Sequence, residues 1–495
     1  MKNMTCIGDL RRLAHRKVPR AFIDYAESGS YTEQTLRANR ADLERINLRQ
    51  RILCDVSNRS TKTTILGEPA ALPLALAPIG LCGMQHGDGE ILACRAAQEA
   101  GIPFTLSTMS ICSIEDVAAA VEKPFWFQLY VMRDRGYIRA LVERAAAAKC
   151  SALVLTVDLQ VIGQRHRDIK NGMTVPPELR IKNLIDIATK PAWALSVARG
   201  KRKTFGNIAG HYPGMSNVTV LSKWIAEQFD PSLSWKDVEW IKSLWPGKLI
   251  LKGILDLEDA RIAARTGAAA LVVSNHGGRQ LDGAQSSISA LPPIADALGS
   301  EIEIMFDGGI RSGQDIARAL ALGARSCMSG RAYIYGLGAG GQAGVARAIE
   351  IMRNELDTSM ALMGVTKVAD IDRRMSVTTL MKLSTFRKGM ACRTSANLAS
   401  RWPALSRRML RRSSMMRKLL VGAAIFAGAI AASGARADTV GAVAGAGTGL
   451  IVAGPPGAVV GGVIGAVWGK PFWGPSIGKG HCWTDSDFHR HCRRW

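Results

Sequence analysis

A (β/α)8 barrel of the TIM type, with a long insertion after strand four and a C-terminal tail of no assigned structure, is the fold the sequence predicts. Three observations predict it. Eight short apolar runs alternate with helical stretches between Leu72 and Gly330, polar residues recur at the ends of those runs, and glycines with arginines close the last two. Continuously apolar runs suit parallel strands buried on both faces, and their alternation with helices marks the α/β class. An open doubly wound sheet is the rival, but no Gly-x-Gly-x-x-Gly follows the first run.

The first four strands are expected at Leu72–Gly80 (LPLALAPIG), Pro103–Thr108 (PFTLST), Pro124–Tyr130 (PFWFQLY) and Ala152–Asp158 (ALVLTVD). The last four are Lys248–Gly253 (KLILKG), Ala270–Asn275 (ALVVSN), Ile302–Gly309 (IEIMFDGG) and Ser326–Gly330 (SCMSG). Helical periodicity fills the gaps, as in Glu90–Ala100, Arg133–Lys149, Glu258–Thr266 and Ser312–Leu322. In such a barrel the chemistry sits where strands pass into loops. Ser107 and Thr108 end strand two, Gln128 and Tyr130 strand three, and Thr156 and Asp158 strand four. Lys252 ends strand five, Ser274 and His276 strand six, Asp307 strand seven, and Arg331 follows strand eight. Together they make a site.

Strands seven and eight end in FDGGIRSG (Phe306–Gly313) and SGRA (Ser329–Ala332). Glycines expose backbone N–H groups, a following helix N-terminus favours an anion, and these two loops are the usual phosphate site of the fold. Arg311 and Arg331 add charged donors. Either loop alone would be a tight turn with an exposed arginine. The pair indicates a phosphate without saying which compound. SNHGGRQLD (Ser274–Asp282) places an imidazole and a guanidinium on one loop. A lone histidine is more often structural, but Lys252, Asp158 and two further arginines share its rim. His276 is therefore the candidate base, Asp158 its orienting carboxylate, and the arginines the donors for an anionic substrate.

These motifs resemble the FMN-dependent (S)-2-hydroxy-acid dehydrogenases and oxidases over roughly Thr5–Asp372: DYAESGS, APIG, Met84 to Glu90, LSTMS, QLY, TVD, GQRHRDIKNG, LKG, SNHGGRQLD, DGGIR and GR. DLQVIGQRHRDIKNG is most similar to the bacterial respiratory-type L-lactate dehydrogenase branch. The resemblance implies an FMN cofactor contacting Ala77, Pro78 and Ile79 through backbone, and Ser107, Gln128, Thr156 and Ser274 through side chains. It implies Lys252 at the pyrimidine edge, where a cation stabilises reduced flavin, and the phosphate on Asp307, Gly308, Gly309, Arg311, Gly330 and Arg331. Arg165 and Arg279 would hold the substrate carboxylate, Tyr25 and Tyr130 would contact carboxylate or hydroxyl, and His276 would take the proton. The implied reaction is oxidation of an L-2-hydroxy acid, L-lactate to pyruvate, with electrons passed to a membrane carrier such as quinone. The alternative within the fold is an oxidase that releases hydrogen peroxide. Gly80, where oxidases tend to have alanine, leans toward a dehydrogenase, and Met109, where glycolate oxidases carry tryptophan, toward lactate. Proline is frequent in the family at the positions of Gly87 and Gln160. A tetramer is implied by resemblance alone.

Composition bounds the rest. Of 495 residues, 47% are hydrophobic and 21% charged, which excludes global disorder. The net charge of +23 looks like a nucleic-acid signal until it is divided: +16 lies after Asp372 and only +7 before it. No nucleic-acid partner is expected. Cys6, Cys54, Cys82, Cys94, Cys112, Cys150 and Cys327 are too scattered for a disulfide framework, and no secretory signal starts the chain, so the body is expected in the cytoplasm. Residues 1–372 form the expected catalytic domain. Residues 373–414 are a basic stretch expected to be disordered, 415–437 a signal-peptide-like segment, and 438–495 a glycine-zipper-like tail. A signal inside a chain favours two joined reading frames over a membrane anchor, while an export protein with a non-catalytic barrel is the non-enzyme alternative. His481, Cys482, His489, His491 and Cys492 match no zinc spacing, so no metal is assigned, and a Cys482–Cys492 disulfide suits them better. In the long insertion, Ile181–Lys203 mixes apolar and basic residues, which fits either an interfacial segment on the inner membrane or a lid helix with a solvated basic end.

Overall fold

The computed structural model describes residues 1–173, 178, 180–209, 224 and 227–377, and the backbone of 481–484 and 490–493. The eight expected strands are all present: β1 (Leu74–Leu76), β2 (Thr105–Ser107), β3 (Trp126–Leu129), β4 (Ala152–Thr156), β5 (Lys248–Ile254), β6 (Ala270–Val273), β7 (Glu303–Asp307) and β8 (Ser326–Ser329). They pair in parallel in the order β1-β8-β7-β6-β5-β4-β3-β2, and a bridge between Leu76 and Phe104 closes the ring. Most are shorter than the apolar runs that predict them. At the rim the chain turns away from its neighbours, so Tyr130, Asp158 and Gly309 lie in loops.

Side chains alternate along each strand. Ala75, Trp126, Val154, Ile250, Val272, Met305 and Met328 pack together inside the barrel, while Leu153, Leu155, Leu251, Val273 and Phe306 pack outward against the helices. The helices Gly89–Glu99, Arg135–Ala147, Leu257–Ala264 and Gly313–Ala321 fall where periodicity places them.

Within the insertion, helices Ile181–Ala188 and Pro191–Arg199 lean on the barrel through Trp193. Its ring stacks on Phe22 at 5.3 Å and its Nε1–H donates to the Met84 carbonyl at 2.9 Å. Gly87 leaves room for the second of these helices. A Cβ at Gly87 would collide with the Ser196 carbonyl, and the Gln160 amide donates to the Leu233 carbonyl at 2.7 Å.

The ordered body extends past Asp372, against the expectation of a disordered stretch from Arg373. Arg373–Met375 form a 3-10 turn, Ser376–Val377 pair with Asn47–Leu48, and Arg373 meets Asp296 at 2.7 Å. Charge alone missed this pairing, whose partner lies some 300 residues earlier in the chain. The remainder of the basic stretch, the signal-like segment Met415–Ala437 and most of the glycine-rich tail lie outside the described residues. Near the end, strands His481–Thr484 and Arg490–Arg493 pair antiparallel with Cys482 opposite Cys492.

Before the barrel, helices Ile7–Lys17 and Arg20–Glu27 meet through Glu27, which accepts from Arg11 at 2.6 and 2.9 Å and lies 2.9 Å from His15. Burial alone would raise the Glu27 carboxyl, but Arg11 and His15 bring it down to about 2. A depressed carboxyl lends stability that is present above its ordinary value of 4.5 and lost as pH falls toward 2. Thermal melts across that window are expected to show a shallower loss for Glu27→Gln than for the parent chain. The two should converge at the acid end.

Candidate active site

The polar strand ends meet at one mouth of the barrel. His276 follows β6 in a left-handed conformation (φ +57°), and Gly277 and Gly278 continue it at +65° and +74°. Three such residues in succession swing the imidazole back over the barrel, a conformation a bulky residue rarely adopts. Its Nδ1 lies 2.8 Å from Asp158 Oδ1, and its backbone N–H donates to Ser274 Oγ at 3.1 Å. With Asp158 ionised, Nδ1–H is the donor and Nε2 is left as the acceptor. Tyr130 stacks beside the imidazole (6.5 Å between centroids, 19° between planes), and burial together with the Asp158 charge pushes its phenol upward.

Two arginines flank Tyr25, Arg279 at 5.1 Å and Arg165 at 5.9 Å from the ring centre. Arg165 is fixed by Asp168 at 2.6 Å, whereas Arg279 donates to the carbonyls of Tyr25 and Ser28, at 2.7 and 2.9 Å, and to the Ser28 hydroxyl at 3.5 Å. Burial and then repulsion from Arg165 lower the Arg279 guanidinium. Two part-buried cations beside one aromatic ring make a seat for a carboxylate.

Lys252, 4% exposed, lies 3.0 Å from both Asp307 and Ser274 Oγ. Burial disfavours the ammonium, but Asp307 and then Asp158 hold its pKa above the ordinary value. Asp307, expected among the cofactor ligands, is also the counter-charge of Lys252. Its carboxylate faces β5 and β6 because a buried ammonium requires a counter-charge.

The phosphate loops hold Arg311 over Tyr335 (5.8 Å) and Arg331 against the carbonyls of Ala26, Gly277 and Ser28 at 3.0, 2.9 and 3.1 Å. Among the described residues neither pairs with a carboxylate. Burial, Arg311 and Arg279 bring the Arg331 guanidinium down to about 9, so this pocket is short of an anion. Gly330 abuts Ile79 and Ala77, which brings the loops after β8 and β1 together. Farther in, Ser107 donates to Gln128 Oε1 at 3.0 Å, while Gln128 Nε2 and Thr156 Oγ1 are buried with no partner among the described residues. A ligand with polar edges at one end and a phosphate at the other would satisfy these orphans and the arginines together.

Several supporting residues escaped the sequence reading. Asp168 binds both Arg165 and Ser28 Oγ (2.9 Å), and its spacing three residues after Arg165 was an available signal. Asn39 exchanges amide hydrogen bonds with Asn275 at 2.8 Å, bracing the His276 loop. Arg40 reaches the Gly309 carbonyl and Asp315, whose carboxylate accepts from the Arg311 N–H at 2.9 Å. No local pattern marks Asn39 or Arg40, because their partners lie more than 230 residues away.

Comparison with known proteins matches residues 14–378 to the family described as FMN-dependent dehydrogenase. L-lactate dehydrogenase of Haemophilus influenzae (strain PittEE) is 50% identical over 365 residues, 74% of this chain and 96% of the relative. L-lactate dehydrogenase of Caulobacter sp. (strain K31) is 48% identical over 366 residues, again 74% and 96%. Among solved structures, the monotopic membrane protein (S)-mandelate dehydrogenase superposes with a TM-score of 0.72 at 35% identity, covering 76% of this chain and all of its own. The buried orphans and unpaired arginines fit FMN, and the chain belongs to the FMN-dependent dehydrogenase family.

Proposed function

We propose that the chain oxidises an L-2-hydroxy acid, L-lactate, to its 2-oxo acid. The observation that carries this is the His276–Asp158 pair set beside the Arg165–Tyr25–Arg279 seat. Bound FMN supplies a two-electron acceptor. Around it, Lys252 and the side chains of Ser107, Gln128, Thr156 and Ser274 would hold the ring and ribityl chain, with backbone at Ala77, Pro78 and Ile79. Gly308, Gly309, Arg311, Gly330 and Arg331 would hold the phosphate. Arg165 and Arg279 bind the substrate carboxylate, which fixes the hydroxy carbon near His276, and Tyr130 hydrogen-bonds the hydroxyl. His276 Nε2 accepts the proton, and Asp158 stabilises the imidazolium that results. The decisive measurement is the anaerobic visible spectrum of the FMN-loaded chain on addition of L-lactate, D-lactate, glycolate and L-mandelate in turn. Bleaching by L-lactate is expected, and bound flavin that none of them bleaches would refute the assignment. Re-oxidation by a quinone, with little peroxide under air, would distinguish a dehydrogenase from an oxidase.

The insertion favours a membrane-surface role. Ile181, Ile185 and Leu195 are exposed (77, 62 and 43%) on two short helices that also carry Lys182 and Arg199, with Lys190 between them. Exposed apolar groups interleaved with cations suit an anionic lipid surface, which would bring the flavin near a quinone. The (S)-mandelate dehydrogenase neighbour is titled a monotopic membrane protein. No helix among the described residues is long and apolar enough to cross a bilayer. Ile181→Asp with Ile185→Asp, in the full chain, is expected to weaken partitioning onto anionic vesicles at least about tenfold. Unchanged partitioning would exclude this surface. A tetramer, by resemblance, is the assembly we expect.

A further inference from the structure

We infer that Glu90 is a positioning residue for the flavin: its single carboxyl ties the loop after β1 to the loop after β2, the two loops on which the ring would rest. This rests on the ligand assignment above. Glu90 stands in the first turn of the helix Gly89–Glu99 and is 1% exposed. Its Oε1 accepts the backbone N–H of Gly83 at 3.2 Å and that of Ile111 at 2.9 Å. Among the described residues its Oε2 is buried with no N–H or O–H partner, and the Cys112 thiol lies beside the carboxyl.

From each amide a short path leads to the site. On the first loop, the Cys82 thiol donates to the Ile79 carbonyl at 3.3 Å, and Tyr333, 3.7 Å from that sulfur, donates to the Ala77 carbonyl at 3.0 Å. On the second, the Met109 N–H donates to Ser107 Oγ at 3.1 Å, and the Leu81 N–H crosses between the loops to the Met109 carbonyl at 3.0 Å. Gly83 admits this closeness, since a Cβ there would sit 2.7 Å from Ile111 Cβ. Removing the acceptor would strand two buried amides, and the loops would separate to let water reach them.

Burial pushes the Glu90 carboxyl toward its neutral form. A neutral acid and an amide have the same shape: both keep a carbonyl oxygen for the two N–H groups and a donor at the second position. The carboxyl therefore serves as a shaped acceptor, and glutamine should replace it.

The test uses full-length wild type, Glu90→Leu, Glu90→Asp and Glu90→Gln, each stripped of FMN and titrated with it by fluorescence quenching, with visible circular dichroism of the bound flavin. Glu90→Leu and Glu90→Asp are expected to raise the FMN Kd about 10- to 100-fold and to alter the visible dichroism. Their far-ultraviolet spectra should stay native, and Glu90→Gln should restore both flavin readouts. Should Glu90→Leu not fold, Glu90→Asp decides, because it only withdraws the acceptor by one methylene. A folded Glu90→Asp with unchanged Kd and dichroism would overturn the inference, as would a Glu90→Gln no better than leucine. A wild type that takes up no FMN would instead overturn the ligand assignment on which it rests.

Discussion

His276→Asn lowers kcat/KM for L-lactate by about 10³-fold, within the range that a positioned general base supplies, and leaves FMN bound. Asparagine is the informative replacement because His276 sits at φ +57°, a region asparagine tolerates better than alanine or leucine. The loop therefore keeps its course, and the Asn275 bonds to Asn39 and to the Gly278 N–H at 3.1 Å are retained. What is lost is the Nε2 acceptor and the imidazolium that Asp158 would stabilise. Anaerobic stopped-flow reduction by L-lactate measures this directly, and a rate within a few fold of wild type would remove His276 from the proton-transfer role.

Lys252→Met has the second large effect, and it acts twice. It leaves the Asp307 carboxylate buried without its ammonium partner 3.0 Å away, a change that costs roughly 3–5 kcal/mol when a buried pair is broken. It also removes the one cation expected beside the ring edge that gains negative charge on reduction. The two effects separate in the double variant Lys252→Met with Asp307→Asn, which removes the stranded charge. Its thermal stability should recover much of the loss, while the flavin midpoint potential stays low by about 60 mV, equivalent to about 2.8 kcal/mol for a two-electron couple. Spectroelectrochemistry with a potential equal to wild type would show that Lys252 serves only as the counter-ion of Asp307.

The strands were legible because parallel strands covered by helices are apolar on both faces, which leaves an unbroken signature. Their polar ends were equally plain, since a charged residue directly after such a run has few other uses. The Asp307 carboxylate meets Lys252 and Ser274 on neighbouring strands, contacts that the linear motif FDGGIRSG does not show. Arg373–Val377 were misjudged because pairing with Asn47–Leu48 outweighs a local excess of charge.

By itself the sequence determined the barrel and the family and supplied the candidate groups for substrate and flavin, because these depend on short motifs and on the period of hydrophobicity. Only the tertiary structure decided how those groups are held. It placed Asp307 against Lys252, Asp168 against Arg165, Asn39 behind His276 and Glu90 between two loops. Each of these is a buried polar group whose cost is offset only by a particular partner, 236 residues away for Asn39 but only three for Asp168. Local pattern hints at the Asp168 pairing alone and carries no record of the long-range ones. They arise when the barrel closes.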